Sequence, residues 1–169
     1  MKASELREMQ APLKERYRVA PEAALVTLRA QGRLAAESLT CKVETGRALV
    51  AGLHPATGGD GLSACSGDML LEALVACAGV TLRAVATALD IELRGGTVSA
   101  EGDLDFRGTL GVSREAPVGF RDIRLRFDLD TDAPADKVDS LVKLAERYCV
   151  VYQTLKTPAK LALSVQTTQ

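Results

Sequence analysis

The sequence predicts an α+β fold in which one long apolar helix packs on a largely antiparallel sheet. The helix is indicated by residues 66–89, which are mostly good helix formers or small apolar residues. The sheet is indicated most clearly by residues 123–129, where apolar and charged residues alternate strictly. Short turns separate most of the strand-like segments, and this favours antiparallel pairing.

Length and composition limit the class of protein. A chain of 169 residues is long enough to bury a core, and we expect a helical extension over residues 1–22 followed by a single domain over residues 23–169. The net charge of −1 and the aromatic content of 4% argue against a nucleic-acid partner. The first ten residues lack an apolar signal segment, and the apolar part of the long helix, about a dozen residues before Arg83, is short for a bilayer. These features predict a soluble cytoplasmic protein with no membrane partner.

The strands can be placed by alternation and by turn residues. Strand-like patterns lie at 24–29, 39–44, 47–53, 91–93, 97–106, 123–129 and 160–166. We expect residues 47–53 to form a hairpin with residues 39–44, because the turn residues Thr45 and Gly46 separate them. The segment 160–166 is expected to close the sheet as its last strand.

Two further helices are predicted. One covers residues 3–19, where Pro12 is expected to kink or divide it. The other is opened by Asp132 and Pro134 and breaks near Cys149. Between the strands and the long helix lies a loop over residues 54–67, which is rich in glycine and small polar residues.

The long helix is apolar around most of its circumference, and this has a geometric consequence. A helix can press only one side against one sheet, so its other side needs either a second sheet or a second subunit. We favour the second subunit and therefore predict a homodimer.

Two cysteines are the candidates for chemistry. Cys77 lies at the middle of the long helix between small residues, where a free thiol is commonly a core residue and a reactive one is the alternative. Cys149 lies at a helix boundary beside Arg147, and both features can lower the pKa of a thiol. The other two, Cys41 and Cys65, are expected to be structural or incidental. The four cysteines show no metal-binding spacing, so no metal or cofactor is predicted.

We expect structural roles for His54 and Asp68. His54, the only histidine, lies in a turn that enters the loop, and Asp68 is suited to cap the long helix. The glycine-rich run at 58–61 lacks the GK[ST] sequence of a phosphate-binding loop.

Two segments resemble signatures of one family. Residues 65–86, CSGDMLLEALVACAGVTLRAVA, resemble the SPxELLLAALAGCxxxTL signature of the OsmC/Ohr family, the osmotically inducible and organic-hydroperoxide-resistance proteins. Residues 145–155, AERYCVVYQTL, resemble the second signature of that family, AExxCPVxxTL. The order of the elements also fits, so the resemblance covers residues 24–166.

The resemblance implies both a fold and an activity. The implied fold is an intertwined homodimer, with antiparallel curved sheets around buried central helices. The implied activity is that of a cofactor-free thiol peroxidase that reduces hydroperoxides, with Cys77 as the peroxidatic and Cys149 as the resolving cysteine. A dithiol reductant then regenerates the two thiols.

The resemblance also implies groups that support the thiolate. Arg33 matches the family's activating arginine, with Arg29 as its rival, and Asp68 occupies the position of the glutamate that holds this arginine. The chain departs from the signatures at Gly67, where the family has proline or a variable residue, and at Val150, where it usually has proline. Because a firm arginine–glutamate pair is missing and the long loop 54–67 lies beside the helix, we retain an alternative, namely a non-catalytic dimer of the same fold that binds a small apolar or thiol-reactive ligand.

Overall fold

The computed structural model describes residues 3–34, 41–43, 51–62 and 64–167, and for 3–7, 9, 28–30, 32–34, 41–43 and 51 it describes the backbone only. The helices of these residues are Ala3–Val19 (α1), Ser66–Ala88 (α2), Phe106–Thr109 (α3), Ala135–Tyr148 (α4) and Val150–Lys156 (α5). The strands are Leu25–Leu34 (β1), Cys41–Val43 (β2), Ala51–Gly52 (β3), Ala64–Cys65 (β4), Gly95–Asp105 (β5) and Phe120–Asp130 (β6).

The main sheet has four antiparallel strands in the order β2-β1-β5-β6. Its long strands pair over most of their length, with Leu25 opposite Asp105 at one end of the β1–β5 pair and Gly95 opposite Asp130 at one end of the β5–β6 pair. The alternation in β6 has the predicted effect, because its apolar side chains pack against the core while its charged side chains are exposed. Helices and an antiparallel sheet thus confirm the α+β prediction.

Helix α2 lies across this sheet and supplies the centre of the core. Leu71, Leu74, Val75 and Leu82 are buried on the side that packs against β1, β5 and α4. With 23 residues and an 18-residue window of mean hydropathy 1.8, α2 is long and apolar enough to cross a membrane by composition alone. One such helix is weak evidence for a membrane span, because a buried core helix meets the same criterion, and α2 packs on the sheet.

Not every side of α2 is covered within one chain. Leu70 and Val80 are exposed, and so is Ala73 between them. These three residues are separated by three and seven positions and therefore share one face of the helix. The helix is buried on its sheet-facing side and bears an exposed apolar strip on the other.

Three strand predictions need correction. Residues 91–93 are not a strand, because they directly follow α2 and the N–H of Ile91 still donates to the carbonyl of Ala86 on that helix. Residues Ala51–Gly52 pair in parallel with Ala64–Cys65, and within the described residues they do not pair with Cys41–Val43, which pairs with β1. The rest of the predicted hairpin, residues 44–50 with its turn, lies outside the described residues.

The third correction concerns the predicted closing strand. Residues 158–167 form neither helix nor strand, and Leu161 and Leu163 are 96% and 94% exposed. The alternating pattern is present, but alternation alone does not provide a neighbouring strand with which to form hydrogen bonds. The segment therefore ends the described chain as an exposed apolar stretch.

The N-terminal helix α1 is docked by specific contacts. It is one helix in spite of Pro12, and Tyr17 near its end is fully buried in a second apolar cluster with Phe106. The Tyr17 hydroxyl donates a hydrogen bond of 2.7 Å to the carbonyl of Ala56, and Gln10 donates one of 3.3 Å to the carbonyl of Thr57. Helix α1 thereby holds the 3-10 turn Pro55–Thr57, which begins the loop leading to α2.

Candidate functional site

The site is built around the middle of α2. Cys77 lies about halfway along this helix and is half-buried. Small neighbours, Ala76 and Ala78, leave room beside its sulfur. Because α2 packs against α5 as well as against the sheet, residues far along the chain come next to it.

Cys149 lies where the sequence predicts a break between two helices. Its backbone is extended, with φ −72° and ψ 107°, so it ends α4 and begins α5. Its side chain is buried in the main core, and its sulfur accepts a 3.4 Å hydrogen bond from the N–H of Tyr152. The thiol therefore caps α5 from inside the protein.

The two thiols lie near each other. Although they are 72 positions apart, each cysteine shifts the pKa of the other, and both are free in this structure. Polar groups of Val151, Val150 and Thr81 also act on the sulfur of Cys77 and lower its pKa. The packing of α5 against α2 thus brings together the two cysteines of the predicted pair.

The surroundings shift the pKa values of the two thiols in opposite directions. Burial by itself raises the pKa of Cys77, but the hydrogen bonds from Val151, Cys149, Val150 and Thr81 outweigh burial and bring this pKa below its usual value. Burial raises the pKa of Cys149 to about 11, and the neighbouring Cys77 adds to this increase. At neutral pH Cys149 therefore keeps its proton, and Cys77 is the more readily ionised of the two thiols.

The remaining residues of the predicted site are only partly placed. Asp68 lies in the first turn of α2, nine positions before Cys77, and its charge acts on His54. Arg33 and Arg29 lie on β1, which packs against α2, but their side chains are outside the described part of the structure.

His54 has a structural position. Its Nδ1 accepts a 3.0 Å hydrogen bond from the N–H of Ala56, and its ring stacks on Phe106 with 5.0 Å between the ring centres. Burial lowers the pKa of His54, although the charge of Asp68 opposes this effect. The imidazole is thus neutral at pH 7 and caps the turn that follows it.

One cavity adjoins Cys149, and a second cavity lies next to the first. A cavity of about 180 Å³ is lined by Cys149 together with Ala78, Leu125, Phe127, Val142 and Tyr152. A neighbouring cavity of about 320 Å³ shares Leu125 and Tyr152 and has Arg121 and Lys156 among its lining residues. An apolar molecule could therefore approach Cys149 from the side of β6.

Some groups at the site were not predicted from the sequence. Thr81 was missed, although its position four residues after Cys77 on a helix places both side chains on one face. The N–H groups of Val150 and Val151 were missed because a main-chain donor has no signal in residue type. Among the described residues, no group of three or more His, Cys, Asp or Glu side chains is placed to hold a metal ion.

Comparison with known proteins places the chain in a family. The sequence model of the family described as OsmC-like protein matches residues 58–164, which is more than half of the chain. The chain belongs to the OsmC-like family. The resemblance of the two cysteine segments is thereby confirmed, and both thiols lie within the matched range.

A solved structure supports the assignment at the level of fold. It is the crystal structure of an OsmC-like hydroperoxide resistance protein from Jannaschia sp. CCS1, with a TM-score of 0.62 and 16% sequence identity. The match covers 85% of this chain and 95% of that chain. At this identity the likeness shows a shared OsmC-like fold. No curated protein matches the chain.

Proposed function

We propose that this OsmC-like protein is a cofactor-free thiol peroxidase that reduces hydroperoxides, with Cys77 as the peroxidatic and Cys149 as the resolving cysteine. The observation that carries the proposal is the proximity of two free thiols whose pKa values are shifted in opposite directions. A nucleophile must be ionised and a resolving thiol must stay close and protonated until it is needed. The similar fold of a hydroperoxide resistance protein supports the same class of substrate.

In the first step, the Cys77 thiolate attacks one oxygen of the hydroperoxide. An S–O bond forms, the O–O bond breaks, and the leaving alkoxide takes up a proton to become an alcohol. The sulfur is oxidised to a sulfenic acid while the peroxide is reduced. This proton comes from water, to which Cys77 releases its own proton when it ionises, and Cys149 keeps its proton for the second step.

In the second step, the Cys149 sulfur attacks the sulfenic acid of Cys77. An S–S bond forms and the hydroxyl leaves as water, which takes up the proton of the Cys149 thiol. A dithiol then reduces this disulfide by exchange, becomes a disulfide itself and restores both thiols. The step requires the two sulfurs to meet without unfolding of α2 or α5, and the effect of each thiol on the pKa of the other in the reduced protein supports this.

We also propose that a cation assists the thiolate. Arg33 is the preferred group and Arg29 its rival, since both lie on β1 and this strand packs on α2. Asp68 in the first turn of α2 would hold the arginine by an ion pair. Support for these roles comes from the position of the two elements.

The proposed active form is a homodimer in the cytoplasm. Leu70 and Val80 form an exposed apolar strip on the same face of α2 as Cys77, and residues 160–166 add a second exposed apolar stretch. A second copy that covers these surfaces removes both from water. The cytoplasm is proposed because its reducing conditions keep such thiols free.

The dimer is tested by sedimentation at micromolar protein concentration. We expect the wild-type protein to sediment as a dimer and Val80→Arg to sediment as a monomer or to unfold, because an arginine on the strip buries a charge. Val118→Arg is the matched control, since Val118 is also exposed but lies on a loop far along the chain from α2. A wild-type monomer, or a dimer that survives Val80→Arg, contradicts the proposed interface.

One observation favours the alternative of a ligand-binding protein without peroxidase activity. The cavity of about 180 Å³ beside Cys149 is lined mainly by apolar side chains and could hold a small apolar molecule. Under this alternative the protein binds such a molecule but consumes no peroxide.

The experiment that separates the two functions measures peroxide consumption with dithiothreitol as the reductant. Hydrogen peroxide and tert-butyl hydroperoxide are supplied in parallel to the wild-type protein and to cysteine variants. We expect turnover by the wild type and by the control Cys65→Ser, and no consumption by Cys77→Ser. In a parallel reaction without dithiothreitol, Cys149→Ser should consume one equivalent and stop at the sulfenic acid of Cys77. Consumption by Cys77→Ser at the wild-type rate would refute the proposed function.

A further inference from the structure

The short helix α5 is joined to the end of α4 by two hydrogen bonds to one residue. The main-chain carbonyl of Glu146 accepts a hydrogen bond of 2.8 Å from Nε2 of Gln153, and its carboxylate accepts one of 2.7 Å from Nζ of Lys156. Glu146 lies in the last turn of α4, and both donors lie on α5. We call these two contacts the α4–α5 clamp.

The clamp spans the break between the two helices. Cys149, with its extended backbone, interrupts the helix at this point. A helix end leaves its last main-chain carbonyls without partners from the same helix, and the side chain of Gln153 supplies one to Glu146 across the break. Gln153 and Lys156 are three positions apart and therefore share one face of α5. Because both donate to Glu146, this face is held against the end of α4.

The position of α5 determines the position of the Cys149 sulfur. This sulfur accepts a hydrogen bond of 3.4 Å from the N–H of Tyr152 in the first turn of α5, and the Cys149 side chain is buried in the main core. Helix α5 also packs against α2, on which Cys77 contacts the same core. A shift of α5 relative to α4 therefore moves the sulfur of Cys149 relative to Cys77.

The two bonds of the clamp differ in their exposure to water. The hydrogen bond from Gln153 is partly buried, whereas the side chains of Lys156 and Glu146 are 58% and 39% exposed. An exposed ion pair is weakened by water and salt and contributes less than a partly buried hydrogen bond. We therefore expect Gln153 to hold α5 more firmly than Lys156 does.

We propose that Gln153 and Lys156 are positioning residues, which through Glu146 hold α5 so that Cys149 meets the sulfur of Cys77 when the disulfide forms. The inference rests on the proposed peroxidase function only for the source of the sulfenic acid, because another oxidant that joins the two thiols uses the same placement. A thiol that is already held in position loses less freedom when the S–S bond forms.

Each contact can be removed beside a matched control. Gln153→Leu removes the amide at similar size. Its control is Thr154→Val, because the Thr154 hydroxyl donates a bond of the same 2.8 Å length to the carbonyl of Val150 within α5 and does not reach α4. Lys156→Met removes the charge, and Lys156→Arg restores it. Circular dichroism checks that the variants fold, and Gln153→Ala replaces Gln153→Leu if the latter does not.

The readout is the equilibrium between the Cys77–Cys149 disulfide and the two thiols in mixtures of reduced and oxidised dithiothreitol, quantified by peptide mapping. For each protein disulfide that forms, one molecule of oxidised dithiothreitol is reduced to the dithiol. Without the clamp the disulfide alone must hold α5, so the equilibrium shifts toward the thiols. We expect the equilibrium constant for the disulfide to fall about twofold to tenfold in Gln153→Leu and by up to about fivefold in Lys156→Met.

Thr154→Val and Lys156→Arg should keep the wild-type constant. The proposal is wrong if Gln153→Leu has the constant of Thr154→Val, or if Lys156→Met has that of Lys156→Arg, since a role in stability alone would lower only the melting temperature. The redox buffer contains no peroxide, so lower constants in a protein that consumes no peroxide would support the clamp and refute the peroxidase. Peroxide turnover with unchanged constants would do the reverse.

Discussion

Replacement of Tyr17 by phenylalanine tests how firmly the N-terminal helix is joined to the rest of the protein. The Tyr17 side chain is fully buried, and its hydroxyl donates a 2.7 Å hydrogen bond to the carbonyl of Ala56. Tyr17→Phe keeps the aromatic ring and its packing beside Phe106 but removes this hydroxyl. The carbonyl of Ala56 then loses its partner at the turn that leads toward α2.

The expected loss of stability can be estimated from the hydrogen bond that is removed. A hydrogen bond contributes about 0.5 to 1.5 kcal/mol net, and a buried acceptor left without a partner costs about 1 to 3 kcal/mol. We therefore expect the free energy of unfolding to fall by about 1 to 2 kcal/mol. For a chain of this size each kcal/mol lowers the melting temperature by about 2 to 4 °C, which gives a decrease of about 2 to 8 °C.

The assay is thermal and urea unfolding followed by circular dichroism, with the wild-type protein at the same concentration. Tyr148→Phe is the matched control, because the Tyr148 side chain is 57% exposed and a hydroxyl that faces water is lost at little cost. We expect the control to unfold like the wild type. Equal melting temperatures for Tyr17→Phe and Tyr148→Phe would refute the reasoning and would show that α1 is not held by this bond.

Two further predictions concern the sheet and the thiols. Gly102→Ala should lower the free energy of unfolding by about 1 to 3 kcal/mol, because an added Cβ would overlap the ring of Phe120. Gly95→Ala, which has open space around its Cβ, should lower this free energy much less. Urea unfolding compares the two variants, and equal losses of stability would contradict the packing at Gly102. At pH 8 a thiol with a pKa of about 11 is ionised to only ~0.1%, so iodoacetamide should modify Cys77 well before Cys149. Peptide mapping checks the order, and equal labelling of both cysteines would contradict it.

The sequence predicted those elements whose pattern depends on local periodicity. Strand β6 was recognisable because its apolar residues alternate, and α2 because its residues favour a helix and are apolar. The break between α4 and α5 was also predicted at Cys149, where the structure has extended backbone. In each case the order of apolar and polar residues along the chain shows which residues are buried.

Predictions that depend on pairing partners were less successful. Strands β3 and β4 have two residues each, too few to show a period, and their parallel pairing joins segments on either side of a loop. Residues 160–166 do alternate, yet they have no strand beside them in the described chain. Which strands pair is decided by the fold as a whole and is not visible in either segment alone.

The candidate site was likewise predictable only where it depends on local sequence. Cys77 and Cys149 were singled out by their position and by the resemblance of the segments around them, but a separation of 72 positions does not show that they lie near each other. Their proximity depends on the packing of α5 against α2. The shift of Cys77 toward the thiolate depends partly on main-chain donors, which no residue type reveals.

Peptide mapping after oxidation tests the central claim most directly. Reduced protein is treated with one equivalent of hydroperoxide, blocked with an alkylating reagent and digested without a reductant. The two-cysteine reaction predicts one disulfide within the subunit, between Cys77 and Cys149, while Cys65 is recovered in its alkylated form. Recovery of Cys77 as a free thiol after the peroxide has been consumed would contradict the account.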